Sequence, residues 1–360
     1  MIKKLDLYII KKFLGTFFFM IGAFVIIAVV FDVSENIDDL IKSKAPFYRI
    51  LRDYYLNFCL YFGNLLSSFI IFLTIIWFTS KLAQKSEIIA ILSGGVGYSR
   101  ILRPYFIASS ILVCISLTLS HYVVPLANKR KLDFELEYLK EAIIVDDKNL
   151  HREIEPGVIA HFYQFSPANM GGSSFSLEKW ENGKLKFKLL SSGANYDLQK
   201  NMWTINGAQV RKWDENGVES VTYRARIDTI LPMNMDTFGL RPETIGTMNW
   251  SELNDFIEAQ RKAGSGRIAE FEIEKYNRTA SAFSIFILTL IGVTIASRKS
   301  RGGTGLHLLL AVVIGFVFIF ISRMTAVSAM TIGLPASLAV WVPNAIFLVI
   351  GIYLYTRAQK

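Results

Sequence analysis

The sequence predicts a membrane α-helical protein of six transmembrane helices with a β-rich, jellyroll-like domain inserted between the third and fourth. Three observations predict it. Six long apolar runs, three on each side of a polar stretch, approach the roughly 20 residues that a spanning helix needs. Basic residues gather in alternate connections between those runs. The polar stretch itself alternates polar and apolar positions around Asn-Gly turn signals. The chain of 360 residues is 52% hydrophobic, and its mean hydropathy of +0.36 averages these two kinds of sequence. The expected division is residues 1–127 for spans one to three, 128–275 for the inserted domain and 276–360 for spans four to six.

Span one is read at Phe13–Phe31, behind Lys3, Lys4, Lys11 and Lys12. Its apolar run is too long for a signal peptide and no small-residue cleavage site follows, so it is read as an uncleaved span. Spans two and three fall near Leu56–Thr79 and Tyr105–Val124, and the last three near Ala280–Ala296, Leu306–Met330 and Ala336–Tyr355. Lysines and arginines at the N-terminus, at Lys81, Lys85, Arg100 and Arg103, at Arg298, Lys299 and Arg301, and at Arg357 and Lys360 alternate correctly if both termini are cytoplasmic. The connection Asp32–Tyr55 and the large insert then lie outside. The net charge of +9 is explained by this orientation, and no recognition motif accompanies it, so nucleic acid is not an expected partner. Cys59 and Cys114 fall inside spans and read as small buried hydrophobes, with no disulfide framework.

Within the insert, Phe175–Gly193 and the stretch around Asn206-Gly207 and Asn216-Gly217 read as hairpins, favouring a sandwich or jelly-roll. Asn249–Gly264 reads as a short amphipathic helix with a Ser251 cap, apolar Leu253, Phe256 and Ile257, and a glycine stop. His151 and His161 are its only histidines, and no Gly-x-Ser-x-Gly or His-Glu-x-x-His pattern accompanies them. No catalytic or metal-ligating set stands out. A strand-rich domain of this kind suits a lipid or hydrophobic chain, or a partner's edge strand.

The stretch "SEIIAILSGGVGYSRILRPY", Ser86–Tyr105, lies between spans two and three on the cytoplasmic side. Ser86 is placed to cap a helix, with Glu87 in its first turn. Ile88, Ile91 and Leu92 form one apolar face, Gly94 and Gly95 end the helix, and Pro104 suits the first position of the next. Two readings fit: an interfacial helix on the membrane, or a knob docking into a cytoplasmic partner with Glu87 offered to an arginine. The chain has no Gly-x-x-x-x-Gly-Lys-[Ser/Thr] and is not itself an ATPase.

At this stretch the sequence resembles the LptF/LptG (YjgP/YjgQ) permeases of lipopolysaccharide export. The opening "LDLYIIKKF" resembles the family's Leu-Asp-x-Tyr, and "SEIIAILSGGVGYSRILRP" its coupling helix, with Ser86, Glu87, Ala90 and Gly95 on matching positions. "EKYNRTASAFSIFILTLIG" resembles the entry to span four, and "GLPASLAVWVPNAIFLVIGIYLY" span six, including Pro335 and Pro343. The resemblance covers essentially the whole chain.

It implies a permease subunit in the bacterial inner membrane with a periplasmic jellyroll, paired with a second six-span permease, a cytoplasmic LptB-like ATPase that uses ATP and Mg, and a periplasmic LptC/LptA-like bridge. The chain itself would carry no cofactor. Ser86, Glu87, Ile88, Ala90, Ile91, Leu92 and Gly95 would dock the ATPase and transmit its closure to spans one and five. Lipopolysaccharide would be drawn from the membrane and passed to the bridge. Family members often place basic residues at the outer end of span one. Here Lys42 and Lys44 are the candidates for contact with lipid phosphates, but they follow Asp32, Glu35, Asp38 and Asp39, a mixed-sign cluster that departs from that pattern and also reads as a solvated rim. Arg323, inside span five, is a candidate for an anionic headgroup, because a charge at that depth is costly unless it faces a cavity or snorkels to the interface. The alternatives are a permease for another lipid, and a membrane sensor or scaffold whose outer domain binds ligand while Ser86–Tyr105 signals inside.

Overall fold

The computed structural model describes residues 3–139, 148–166, 170–197, 200–214, 217–233, 242–262, 264–299 and 302–358. Asn216, Arg301 and Lys360, singled out above, lie outside the described residues. The chain forms two compact units: Met1–Leu139, Gly246–Leu253 and Ala269–Lys360 make the first, Lys140–Ile245 and Asn254–Ile268 the second.

Six helices are long and apolar enough to cross a membrane. The first, α1 (Lys4–Lys42), has 39 residues, about 58 Å at 1.5 Å per residue, against a hydrocarbon core of about 30 Å. It therefore runs well past Phe31, and Asp32, Glu35, Asp38 and Asp39 stand on its continuation. A π-helical turn (Ile50–Tyr55) leads into α2 (Leu56–Gln84), followed by the short α3 (Glu87–Ser93) and by α4 (Tyr98–Thr118). The fourth helix continues through a π-turn (Leu119–Val123) into α5 (Val124–Phe134) and ends at Leu139. After the strands come α6 (Trp250–Lys262), α7 (Ile268–Ala296), α8 (Gly303–Ile332) and α9 (Ala336–Arg357).

The starts of α4 and α6 differ from expectation. Pro104 does not open its helix: α4 starts at Tyr98 behind an extended Gly97, so Pro104 lies inside it and forfeits one bond to the Arg100 carbonyl. The cap of α6 is Asn249 rather than Ser251. Asn249 Oδ1 accepts from the N–H groups of Ser251 (2.9 Å) and Glu252 (3.0 Å), while Glu252 Oε2 accepts from the Asn249 N–H at 2.9 Å. The result is a reciprocal capping box shifted by two residues.

The apolar window of α7 is 67% buried, against 11% for α1 and 17% for α8. The first unit is thus built around α7, and α1 and α8 are far less enclosed by the rest of the chain. Because lipid tails are as apolar as the side chains they would cover, small and polar residues fix the helices. Ser109 and Thr289 bond α4 to α7 at 2.7 Å, Thr79 donates to the Tyr105 hydroxyl at 3.0 Å, and Asn344 Nδ2 donates to the Ala280 carbonyl at 2.9 Å. Gly315 lets α8 approach α2: a Cβ there would lie 2.6 Å from the Phe69 ring.

In the second unit β1 (Lys148–Glu155), β2 (Val158–Ser166), β3 (Gly171–Glu181), β4 (Lys184–Asp197), β5 (Met202–Trp213) and β6 (Glu219–Thr229) form one antiparallel sheet in sequence order. The predicted hairpin turn at Asn182-Gly183 joins β3 to β4, both residues with positive φ. Gly207, expected in a turn, sits within β5 at φ +62°. There the inward face changes parity, from Ile205 to Ala208 in β5 and from Leu189 to Ala194 in β4, where Ser191 and Ser192 drop out of the ladder. Such bulges bend strands.

The bend closes the sheet on itself. In a flat sheet β2 and β5 stand three spacings apart, about 14 Å, yet the rings of Phe162 and Trp203 are 6.0 Å apart. Both are fully buried, together with Phe165 and Phe175, and Trp203 Nε1 donates to the Met233 carbonyl at 3.2 Å. One folded-over meander thereby supplies the two facing layers that the sequence led us to expect of a jellyroll-like domain.

Candidate functional site

The stretch between α2 and α4 begins with a sharp reversal. The Lys85 and Ser86 N–H groups bond back to the Lys81 and Ala83 carbonyls at 3.1 and 3.0 Å, and Ser86 adopts a left-handed conformation, φ +59° and ψ 13°. A side-chain cap requires an extended backbone, so the Ser86 hydroxyl makes no capping bond. Instead its carbonyl accepts from the Ala90 N–H at 2.9 Å. Glu87 occupies the first turn as expected. The exit also follows expectation: Gly94 N–H reaches the Ala90 carbonyl at 3.1 Å, and Gly95 takes φ +82°, which an L side chain rarely adopts.

The seven residues of α3 are divided between two faces. Ile88 is buried, and Ile91 and Leu92 pack beside it against Ile9, Phe13, Leu82, Tyr98 and Tyr105. This predicted apolar face thus seats the helix on the chain's own spans. The outward face carries Ile89, which is 43% exposed, with Ala90, Ser93 and Gly95 also exposed and Glu87 at its margin. Ile89 lies off the stripe of Ile88, Ile91 and Leu92, and an isoleucine next to that stripe is the signal in the sequence that marks it.

Two polar ties join this region to the start of α1. Tyr8 donates its hydroxyl to Glu87 Oε2 at 3.3 Å, and Lys12 Nζ donates to the Tyr8 oxygen at 2.7 Å. Arg100 embraces Asp6 with two bonds of 2.7 and 2.6 Å. Neither Asp6 nor Tyr8 was singled out as a site residue, though both belong to the quoted "LDLYIIKKF".

Among the described residues no hydrogen bond or ion pair joins the headgroup candidates to one another. Lys42 ends α1 and makes only a 3.8 Å exposed pair with Asp39, and Lys44 follows in a left-handed turn at φ +52°. Arg323 lies on α8, nine residues before its end at Ile332, roughly 14 Å, and is exposed on the surface of the unit. Among the described residues its guanidinium has no hydrogen-bond or ion-pair partner. Of the acids, Asp32 is half-buried and accepts from the Tyr54 hydroxyl at 3.2 Å, which ties it to the π-turn before α2.

The second unit contains a groove of about 310 Å³ on the inner face of the folded sheet. Leu177, Phe187, Leu189 and Val210 form its apolar wall, and Lys212 and Arg224 place cationic groups along it. A groove with an apolar wall, the hydroxyl groups of Ser220, Thr222 and Thr229, and two cationic side chains suits an amphiphile with an anionic head.

The family model for the lipopolysaccharide export system permease LptF/LptG matches residues 7–357. The chain belongs to the LptF/LptG family. No curated protein matches it individually. LptF/LptG membership makes it a multi-pass membrane permease of an ABC-type lipopolysaccharide export system, which accords with the six apolar helices and the inserted sheet. The match spans α3 and the folded sheet as well as the six apolar helices.

Proposed function

We propose that this chain is the permease subunit that draws lipopolysaccharide from the inner membrane and passes it to a periplasmic bridge. In this reading both termini are cytoplasmic, and α3 docks a cytoplasmic ATPase that consumes ATP and Mg. A second six-span permease pairs with this one, covering the exposed surfaces of α1 and α8. Lys42, Lys44 and Arg323 offer charge to the lipid's phosphates, and the groove of the inserted sheet receives the lipid before a bridging protein does.

The observation that carries the proposal is the two-faced α3. Its inner face is held by Ile88, Ile91 and Leu92, so a push on the outer face is delivered into the bundle. The outer face offers an apolar anchor, Ile89, beside a carboxylate, Glu87. That pairing of a hydrophobic anchor with a charge suits a protein groove better than a lipid surface, because a two-turn helix binds membranes weakly.

The test is affinity purification of the tagged chain from native membranes in mild detergent. An ATPase and a second six-span chain are expected to co-purify. Glu87→Lys and Ile89→Asp are each expected to deplete the ATPase at least ten-fold while leaving the six-span partner in place. Retention of the ATPase by both variants would refute the docking role, and recovery of the wild-type chain alone would refute the transporter assignment.

A further inference from the structure

The 39 residues of α1 are buried only near one end: Asp6, Ile9, Ile10, Phe13 and Phe17 are its buried positions. The rest leans on its neighbours without being enclosed. The helix is therefore gripped close to its start, and the grip lies against α3 and the first turn of α4. Ile9, Ile10 and Phe13 share one apolar core with Ile88, Ile101 and Tyr105. Beside that core Asp6, 4% exposed, receives both bonds of Arg100, and the Lys3 N–H adds a third at 2.8 Å.

Between α3 and α4 the chain reads Gly94-Gly95-Val96-Gly97. Three glycines in four residues make a compliant joint. A displacement imposed on α3 reaches α1 through that core, and the joint would let α3 slide against α4 unless α1 were tied to α4 as well. The Tyr8–Glu87 bond is long and exposed, and Glu87 is the group offered to the partner. The Asp6–Arg100 pair is short, bidentate and sheltered. A guanidinium and a carboxylate in this planar arrangement resist shear in a way that apolar contacts do not.

We infer that Asp6 and Arg100 are positioning residues that pin the start of α1 to the α3–α4 junction, so that motion of α3 turns α1 instead of flexing the glycine joint. The inference rests on the docking role proposed for α3, but the pin itself is a property of this chain and is measurable without the partner.

The test uses the full chain with Cys59→Ser and Cys114→Ser. Spin labels are placed at Ser93→Cys on α3 and Lys11→Cys on α1, both exposed positions. The intact pair is expected to give one narrow distance distribution. Asp6→Asn, which keeps the shape and removes the charge, and Arg100→Gln are each expected to at least double its width. The charge-exchanged chain with Asp6→Arg and Arg100→Asp is expected to recover part of the narrowing. In the ATPase complex Asp6→Asn is expected to keep co-purification and ATP hydrolysis within two-fold, while lipid transferred per ATP falls at least ten-fold. An unchanged distance width in Asp6→Asn and Arg100→Gln would overturn the pin, as would an unchanged transfer ratio. If no ATPase associates with the unmodified chain, the docking proposal fails, and the distance measurement still decides the pin.

Discussion

The folding-over of the inserted sheet makes a quantitative prediction about two residues on non-adjacent strands. Phe162 and Trp203 touch with ring centroids 6.0 Å apart at 40°, a tilted arrangement worth about 0.5–1.5 kcal/mol beyond its buried area. We take about 1 kcal/mol, a factor of about five in an equilibrium constant. Phe162→Leu alone is expected to cost about 1–2 kcal/mol and Trp203→Leu about 3, since the latter also strands the Met233 carbonyl. Both losses lie within the roughly 5–15 kcal/mol stability of an ordinary domain. The assay is hydrogen exchange of the most protected amides of β3 and β4 in the full chain in detergent, for both single variants and the double variant. The double variant is expected to be about 1 kcal/mol more stable than the sum of the single losses allows, so its exchange is about five-fold slower than additivity requires. Residues more than about 10 Å apart add within about 0.3–0.5 kcal/mol. Additivity within about 0.3 kcal/mol would therefore place β2 and β5 apart, and both the closed sheet and the groove formed by it would be refuted.

Three further outcomes follow from individual contacts. Gly315→Ala puts a methyl group against the Phe69 ring and is expected to cost about 1–3 kcal/mol in thermal stability in detergent. Gly22→Ala, on α1 with open space around it, is expected to be neutral or stabilising by up to about 1 kcal/mol; equal effects at the two sites would contradict the packing. His161 faces His151 across β1 and β2, with ring centroids 4.2 Å apart, and burial, then His151, hold its pKa below the usual histidine value. Below pH of about 6.5 the unfolded chain therefore binds the extra proton, so stability is present above that pH and falls as the pH drops through the depressed folded pKa. Amide protection in β1 and β2, corrected for intrinsic exchange, is expected to weaken between pH 7 and 5, and His161→Gln to flatten that slope. Arg323→Ala is expected to lower lipid transport and transport-coupled ATP hydrolysis with membrane insertion intact; unchanged values for both would remove Arg323 from the lipid path.

Much of the architecture was legible because it is written in local terms. A span is an apolar run, and nothing but a bilayer accommodates six of them in alternation with basic connections. The stop of α3 was legible too, because Gly95 takes a left-handed conformation that few other residues adopt. Hairpins at Asn182-Gly183 declared themselves for the same reason.

Other features depended on partners distant in sequence. The stripe Ile88, Ile91 and Leu92 showed that α3 has an apolar face, but a stripe does not say whether lipid, a partner or the chain's own spans will cover it. Packing decided that it faces inward and that Ile89 faces out. Ser86 was expected to cap because serine often does, yet the reversal after α2 forces its backbone into a conformation from which the hydroxyl does not reach. Asp6 and Arg100 stand 94 positions apart, and neither has a local signature of pairing. The alternation in β2 and β5 showed that each strand has a buried face without showing that the two faces meet. By itself the sequence determined the spans, their order, the inserted sheet and the site of α3, because hydropathy, periodicity and glycine conformation act over a few residues. The outward face of α3, the grip on α1 and the closure of the sheet were decided only by tertiary structure, because each is a contact between segments that no local propensity relates.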